Sequence, residues 1–313
     1  MNVTEHPILA RTAHPTSLSE PADFTLAGGH RVPLARVFAA DVSPYCFDLE
    51  RGLLLCVSTP PLDGSTFFYQ AQRRTARTVL RVPVALLPDR DATATLIFSI
   101  GRCGSTLLFR AFEAAGVRIV SEPDFFTQAA LHGIRMADDS FLRVALRRAA
   151  RLLPYSAIKL RLECNSAPAL IAGAYTTPTI LFVLRDPVAW AASHHRQSRN
   201  TIDAAFWARM LRGSLQTLAW LAAHHRVHVT YYEDFRDLSA ASLAAVLAAT
   251  GWQGTLDQAR LDAVAARDSH DGSAEEDVGA SVPEDPAFRA AFAQEWARVR
   301  PADLIARLGL RGL

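Results

Sequence analysis

Two turns, a solitary lysine and one glutamate carry the chemistry that can be read along this chain. The apolar run 95–100 leads into Gly101-Arg102-Cys103-Gly104-Ser105-Thr106, and the amphipathic stretch LLFRAFEAA follows. A turn that opens a helix in this way aims several unused backbone N–H groups at one point, where the helix macrodipole adds about half a positive charge. Gly101 and Gly104 permit close approach of the backbone, the Ser105 and Thr106 hydroxyls can donate, and Arg102 adds a planar cation. Such a set suits a phosphate-like anion. An ordinary strand-to-helix turn with an N-capping Ser or Thr would contain similar residues. A nucleoside-triphosphatase loop fits poorly, because it needs lysine after its last glycine, and here Ser105 follows Gly104.

The second turn follows the run 179–184 and reads Arg185-Asp186-Pro187, with Ser193 eight residues beyond Arg185. With Pro187 near the first helical position, Arg185 and Ser193 lie about two helical turns apart and can meet one phosphate. Lys159 is the single lysine among 33 basic side chains, the others all being arginine, and it stands in an apolar strand pattern. Codon bias accounts for the arginines; an ammonium retained in such a place raises the question of what needs it. Glu122 ends the short run 118–120 on the same expected sheet edge as Arg102, a position suited to accepting a proton. Capping of the helix near Asp124, or pairing with an arginine, would equally account for a glutamate there. His194 and His195 adjoin Ser193 and are the next candidates for a base, although a neighbour one residue along a helix faces elsewhere.

The elements that must position these groups alternate. Apolar runs at 95–100, 118–120, 157–162, 179–184 and 227–231 are rich in Ile, Val and Leu, as buried parallel strands are. Helical patterns fill 105–115, 124–136, 140–152, 188–196 and 202–225 between them. This alternation predicts an α/β fold with a doubly wound, mainly parallel sheet, helices on both faces, and ligands at the carboxyl ends of the strands. Residues 1–90 predict a small N-terminal α+β lobe of unassigned role, with strands at 45–50, 53–58 and 78–87 and a helix over 67–77. The Pro- and Asp-rich LPDRDA sets the boundary before an α/β domain spanning 91–313. The polar stretch 267–285 reads as a long surface loop or lid before the final helices.

Composition narrows the classes. The 313 residues are 50% hydrophobic and 20% charged, enough for a sizeable core and unlike a disordered chain. A formal charge of +2 leaves no broad basic field for nucleic acid, so no nucleic-acid partner is expected and any anion site must be local. No apolar run reaches the ~20 residues of a membrane span, and the start lacks a signal-peptide layout, so a cytoplasmic protein is expected. Cys46, Cys56, Cys103 and Cys164 show neither disulfide-framework nor zinc spacing; free thiols and no metal are expected. Trp190, Trp207 and Trp220 fall in amphipathic helical runs and read as core.

Taken together, the two turns resemble the sulfotransferase family that uses 3′-phosphoadenosine 5′-phosphosulfate (PAPS). Arg102 to Thr106 are similar to its 5′-phosphosulfate loop of basic, small, Gly, Ser/Thr, Thr. Arg185-Asp186-Pro187 with Ser193 is similar to its 3′-phosphate site, and Glu233 in YYEDF to its usual Tyr-Glu-Asp. The resemblance covers about residues 93–249. It implies PAPS as co-substrate without a metal, and a small-molecule, sugar or peptide hydroxyl as acceptor. Arg102, Cys103, Gly104, Ser105, Thr106, Arg185 and Ser193 would bind the nucleotide, Arg102 and Lys159 would act on the reacting group, and Glu122 would be the base. Cys103 occupies a position where the family has a plain small residue, which makes it backbone support. The family histidine two positions after the third-strand lysine is absent, Arg161 standing there. Two other classes stay open: a P-loop-like kinase or nucleotide hydrolase, and a non-catalytic nucleotide-binding module.

Overall fold

The structure is a computed structural model that describes residues 1–14, 17–89, 91–266 and 282–313. The chain opens with β1 (Asn2–Arg11), β2 (Phe24–Leu26), β3 (His30–Pro33), β4 (Val42–Asp48), β5 (Leu53–Ser58), α1 (Phe68–Thr75) and β6 (Thr78–Pro83). It continues through β7 (Thr95–Ser99), α2 (Ser105–Ala114), β8 (Ile119–Ser121), α3 (Asp124–Gly133), α4 (Ser140–Ala150), β9 (Ala157–Lys159) and α5 (Pro168–Ala172). Last come β10 (Thr179–Leu184), α6 (Pro187–Gln197), α7 (Ala204–His224), β11 (Val227–Tyr231), α8 (Tyr232–Phe235), α9 (Ala240–Ala249), α10 (Gln258–Ala265), α11 (Pro286–Val299) and α12 (Ala302–Arg307).

Two sheets organise these elements. The first runs β2-β1-β6-β5-β4 with β3 also on β1, and its neighbours pair antiparallel. The second has the order β11-β10-β7-β9-β8, with β10/β11 and β8/β9 in parallel register, and is flanked by helices. Its chain course turns back at β7: β8 and β9 fall on one side, β10 and β11 on the other. The crevice beyond the carboxyl end of such a strand is where open α/β sheets bind ligands. The α/β class expected from strand–helix alternation is therefore the one observed.

By internal packing the described chain forms two units, Met1–Leu96 with Val117–Pro178, and Ile97–Gly116 with residues 179–266 and 282–313. The unit that holds the antiparallel sheet thus extends past the boundary expected near residue 90. Within it, Phe24, Tyr45, Cys46, Leu55, Val57 and Val79 form a buried cluster. The outer edge of β4 is closed by a side chain: the Gln128 amide accepts from Phe47 N–H at 2.6 Å and donates to Phe47 C=O at 2.9 Å. A glutamine on α3 so substitutes for a neighbouring strand, which blunts an otherwise exposed edge. The sheet also holds one more long strand than the sequence suggests. β1 contains Pro7 and alternates irregularly, yet it pairs with β2, β3 and β6.

In the second unit β10 is buried along five of its six residues, which explains its unbroken apolar run. Phe182 stacks on Phe98 with ring centroids 6.4 Å apart. α6 begins with Pro187 at its first turn, and the Asp186 carboxylate accepts from Ala189 N–H at 2.7 Å. Proline loses nothing there and the aspartate satisfies an orphan donor, so the helix start is fixed by local sequence alone.

Candidate anion-binding site at the β7 and β10 strand ends

The loop from Gly101 to Gly104 is held in an unusual backbone conformation. Gly101, Arg102 and Gly104 all have positive φ, at 68°, 45° and 75°. For Arg102 this left-handed geometry carries a steric cost, the kind of local strain that clusters at functional sites. A Cβ on Gly104 would overlap the Tyr232 ring, so glycine is required twice over. Gly104 is the N-cap of α2 with no side-chain cap, and the first intrahelical bond to it comes from Leu108 N–H at 3.0 Å. The N–H groups of Ser105, Thr106 and Leu107 have no carbonyl in their own helix to bond, and they open the anion-attracting end of the dipole. Cys103 is fully buried and Ser105 nearly so, while Thr106 is half-exposed.

The second turn meets the first. Arg185 Nη1 donates to Arg102 C=O at 2.9 Å, and Arg102 Nε donates to Ser193 Oγ at 3.3 Å. The Arg185 guanidinium lies 4.7 Å from the centroid of the Tyr232 ring, and its buried Nε has no hydrogen-bond partner. A buried, unpaired guanidinium N–H is costly to leave unmet. Among the described residues Arg185 has no carboxylate within ion-pair distance. One face thus gathers Arg102, Arg185, Ser193 and the start of α2, with positive charge balanced by nothing anionic at Arg185. Chemically the cluster can hold a phosphate or sulfate group.

Positive charge leaves its mark on a neighbour. His194 packs between Trp190 and Trp207, with centroids at 4.8 and 4.5 Å. Burial first, and then the charges of Arg102 and Arg185, push its imidazole down to about 3, so it is neutral at ordinary pH. It is a core residue, as the tryptophans around it are. His195 lies flat on Phe288 at 3.7 Å, with Nδ1 against Ile202 C=O at 3.0 Å, and is likewise buried.

Glu122 and Lys159 lie in the first unit and meet there. Lys159 ends β9 and Glu122 follows β8; Lys159 Nζ reaches Glu122 Oε1 at 2.5 Å and Ser121 Oγ at 3.3 Å. Glu122 has φ of 60° and donates its N–H to Lys159 C=O at 2.7 Å, so backbone and side chain both tie it to the lysine. The Lys159 ammonium is buried and lies 6.0 Å from the Phe67 ring centroid. Arg161 is bound to Asp124 at 2.9 Å and stacks at 4.9 Å on Tyr69, which makes it a structural cation. Asp124, nearly fully buried, has its carboxyl pushed upward by desolvation against that pairing.

Some contacts that shape the site were not read from the sequence. Tyr232 links Gly104 and Arg185, a contact that the likeness of YYEDF to a Tyr-Glu-Asp motif does not disclose. Glu233 accepts from Asp186 N–H at 3.1 Å and so ties α8 to the β10 turn. Trp190 does more than fill the core, since its indole N–H donates to Ile100 C=O at 2.9 Å and Gly101 C=O at 3.0 Å and fixes the entry to the loop. Only the meeting of segments from 47 to 128 residues apart reveals these roles. The expected loop or lid over 267–285 lies, up to residue 281, outside the described residues.

No family model matches the chain, and no curated protein does. Solved structures do. The chain is similar to the sulfotransferase domain of the Synechococcus PCC 7002 olefin synthase at 15% identity and TM-score 0.44, covering 71% of this chain and 97% of that one. It is similar to mouse sulfotransferase SULT7A1 complexed with PAP at 14% identity and TM-score 0.43, over 72% and 91%. A sulfotransferase from Alicyclobacillus acidocaldarius matches at 18% identity and TM-score 0.38, over 70% and 96%. No helix among the described residues is long and apolar enough to cross a membrane.

Proposed function

We propose that the protein transfers a sulfuryl group from PAPS to a hydroxyl acceptor, releasing 3′-phosphoadenosine 5′-phosphate (PAP). The observation that carries this reading is the junction of the two turns, where Arg185 bonds the Arg102 carbonyl and Arg102 bonds Ser193. A 5′-phosphosulfate and a 3′-phosphate need two anion sites on one nucleotide, and two motifs with separate cations supply them. The residues fit the group by their own chemistry: the buried Arg185 Nε seeks an acceptor, and the first N–H groups of α2 have no carbonyl in their own helix to bond. PAPS, when bound, supplies the reactive S–O bond, which breaks as the acceptor oxygen bonds to sulfur.

In this reading Ser105, Thr106 and the N–H groups of α2 hold the 5′-phosphosulfate. Arg102 offsets the charge that grows on the leaving phosphate, and Arg185 with Ser193 grips the 3′-phosphate. Lys159 steadies the transferring group, and Glu122 takes the acceptor's proton. The Lys159–Glu122 pairing supports joint action of these two side chains, since each holds the other in place. Four buried free thiols suit a reducing, cytoplasmic setting.

The test is calorimetry of PAP, ADP and Mg-ATP against the wild type and Arg185→Ala. PAP binding alone, weakened by about 1.5–3 kcal/mol in the variant, is the expected result for a lost charge-assisted bond. A preference for Mg-ATP would place the protein with kinases or hydrolases, and no binding would leave a non-catalytic role. Glu122→Gln is expected to cut single-turnover transfer by about a hundredfold or more while PAP affinity holds. Transfer at the wild-type rate would remove Glu122 as base.

A further inference from the structure

The first unit holds a cavity of about 630 Å³, walled by the turns before β4 and after β5, the start of α1, and the residues that lead into β8 and β9. Its place relative to the strands separates it from Glu122 and Lys159. Arg118 immediately precedes β8 and Tyr155 closely precedes β9, whereas Glu122 and Lys159 stand at the carboxyl ends of the same parallel pair. The cavity therefore lies at the amino ends of these strands, away from the pair assigned to the acceptor.

Its lining has two chemistries. Phe68 is buried and meets the half-buried Tyr155 edge-on at 6.3 Å, and Pro60 and the half-exposed Phe38 extend this apolar surface. Tyr155 also carries the Arg118 guanidinium 5.8 Å from its centroid. Arg118 is exposed and has no ion-pair partner among the described residues. Stacking on an aromatic face fixes a guanidinium while leaving its N–H edge open to an anion. Asp41, also in the lining, is already engaged: Arg36 donates to it twice, at 2.7 and 2.9 Å, and Ser58 once at 2.7 Å. Those bonds, against desolvation, bring its carboxyl down to about 2. The volume suits a small organic molecule. Two carboxylates, Asp41 and Asp63, and two guanidiniums, Arg118 and Arg151, line the cavity; Arg151 donates to Ala174 C=O at 2.8 Å and lies over the Tyr175 ring, so the carboxylates disfavour a polyanion while the exposed Arg118 favours a single negative charge.

We propose that this cavity is a second ligand site, for a flat apolar molecule that carries one anionic group. The ring body lies against Phe38, Pro60 and Phe68, and the anion meets Arg118 where it rests on Tyr155. The proposal stands apart from the sulfuryl-transfer reading and does not depend on it.

The experiment titrates naphthalene-1-sulfonate and its neutral analogue naphthalene-1-sulfonamide into the full chain by calorimetry. The expected result is one site, with the sulfonate bound about tenfold more tightly than the sulfonamide, as a charge-assisted contact gives. Arg118→Gln should erase that preference without moving the melting temperature, since Arg118 is exposed. Leu62→Trp, which places bulk in the cavity wall, should abolish binding of both probes. Absence of saturable binding, or a preference that survives Arg118→Gln, would overturn the proposal. Displacement of the sulfonate by PAP would also overturn it, by placing the probe at the strand-end anion site. If PAP itself fails to bind, the sulfuryl-transfer reading falls while the Arg118 comparison still decides this one.

Discussion

Arg73 in the first unit and Arg185 in the second both turn a guanidinium toward protein, and they are met in opposite ways. Arg73 is buried to 4% exposure, pairs with Asp23 at 3.1 Å, and donates also to Tyr45 Oη, His14 C=O and Ser17 C=O. Tyr45 in turn donates to Asp23, and burial together with that carboxylate raises its phenol. Arg161 repeats the scheme with Asp124. Arg185 instead has a carbonyl, an aromatic face and an orphaned Nε. A cation matched inside the protein holds the fold; a cation held by neutral groups keeps its charge for something that arrives. The same residue type therefore serves structure in one place and, in the proposed reading, a ligand in the other, and the partner decides which.

The comparison breaks most visibly through stability. Arg73→Met should cost about 3–5 kcal/mol in urea unfolding, because it strands a buried carboxylate, while Arg185→Ala should change stability by less than about 1 kcal/mol. Equal losses in the two variants would erase the distinction.

An acid titration sharpens it from the other side. His194 is held neutral down to about 3 in the folded chain, by burial and then by Arg102 and Arg185. The unfolded imidazole takes up its proton near the ordinary value of about 6.5, so the unfolded state binds more protons between those two values. Stability should fall as pH drops through that window, by up to about 1.4 kcal/mol per pH unit, and His194→Phe should flatten the slope. Parallel slopes for both proteins would show that His194 ionises freely.

The smallest expected effect belongs to the neutral partner. Ser193→Ala should weaken PAP binding by about 0.5–1.5 kcal/mol, less than Arg185→Ala, since a hydroxyl contributes one uncharged-donor bond. A larger loss than that of Arg185→Ala would reassign the grip on the phosphate.

Much of the frame was legible because local chemistry wrote it. The runs 53–58, 179–184 and 227–231 appear as β5, β10 and β11 at those same bounds, each a short apolar or β-branched stretch cut off by turn residues. Where a run mixed polar groups or proline, as in β1, pairing with three other strands decided its state. The expected strand over 157–162 stops at Lys159, after which the chain turns into a 3-10 turn at Leu162–Ser166. The lysine so ends the strand, where its side chain meets Glu122.

The sequence by itself determined the helix starts at Ser105 and Pro187, the glycines the first turn requires, and which residue types could hold an anion. Those depend on contacts within a few residues, which composition and spacing encode directly. Only the tertiary structure decided that Tyr232 joins Gly104 to Arg185, that Trp190 steadies the loop, and that Lys159 pairs with Glu122. Each of these joins groups more than thirty residues apart. Their meeting is set by how strands are ordered in the sheet, and no local pattern carries that order.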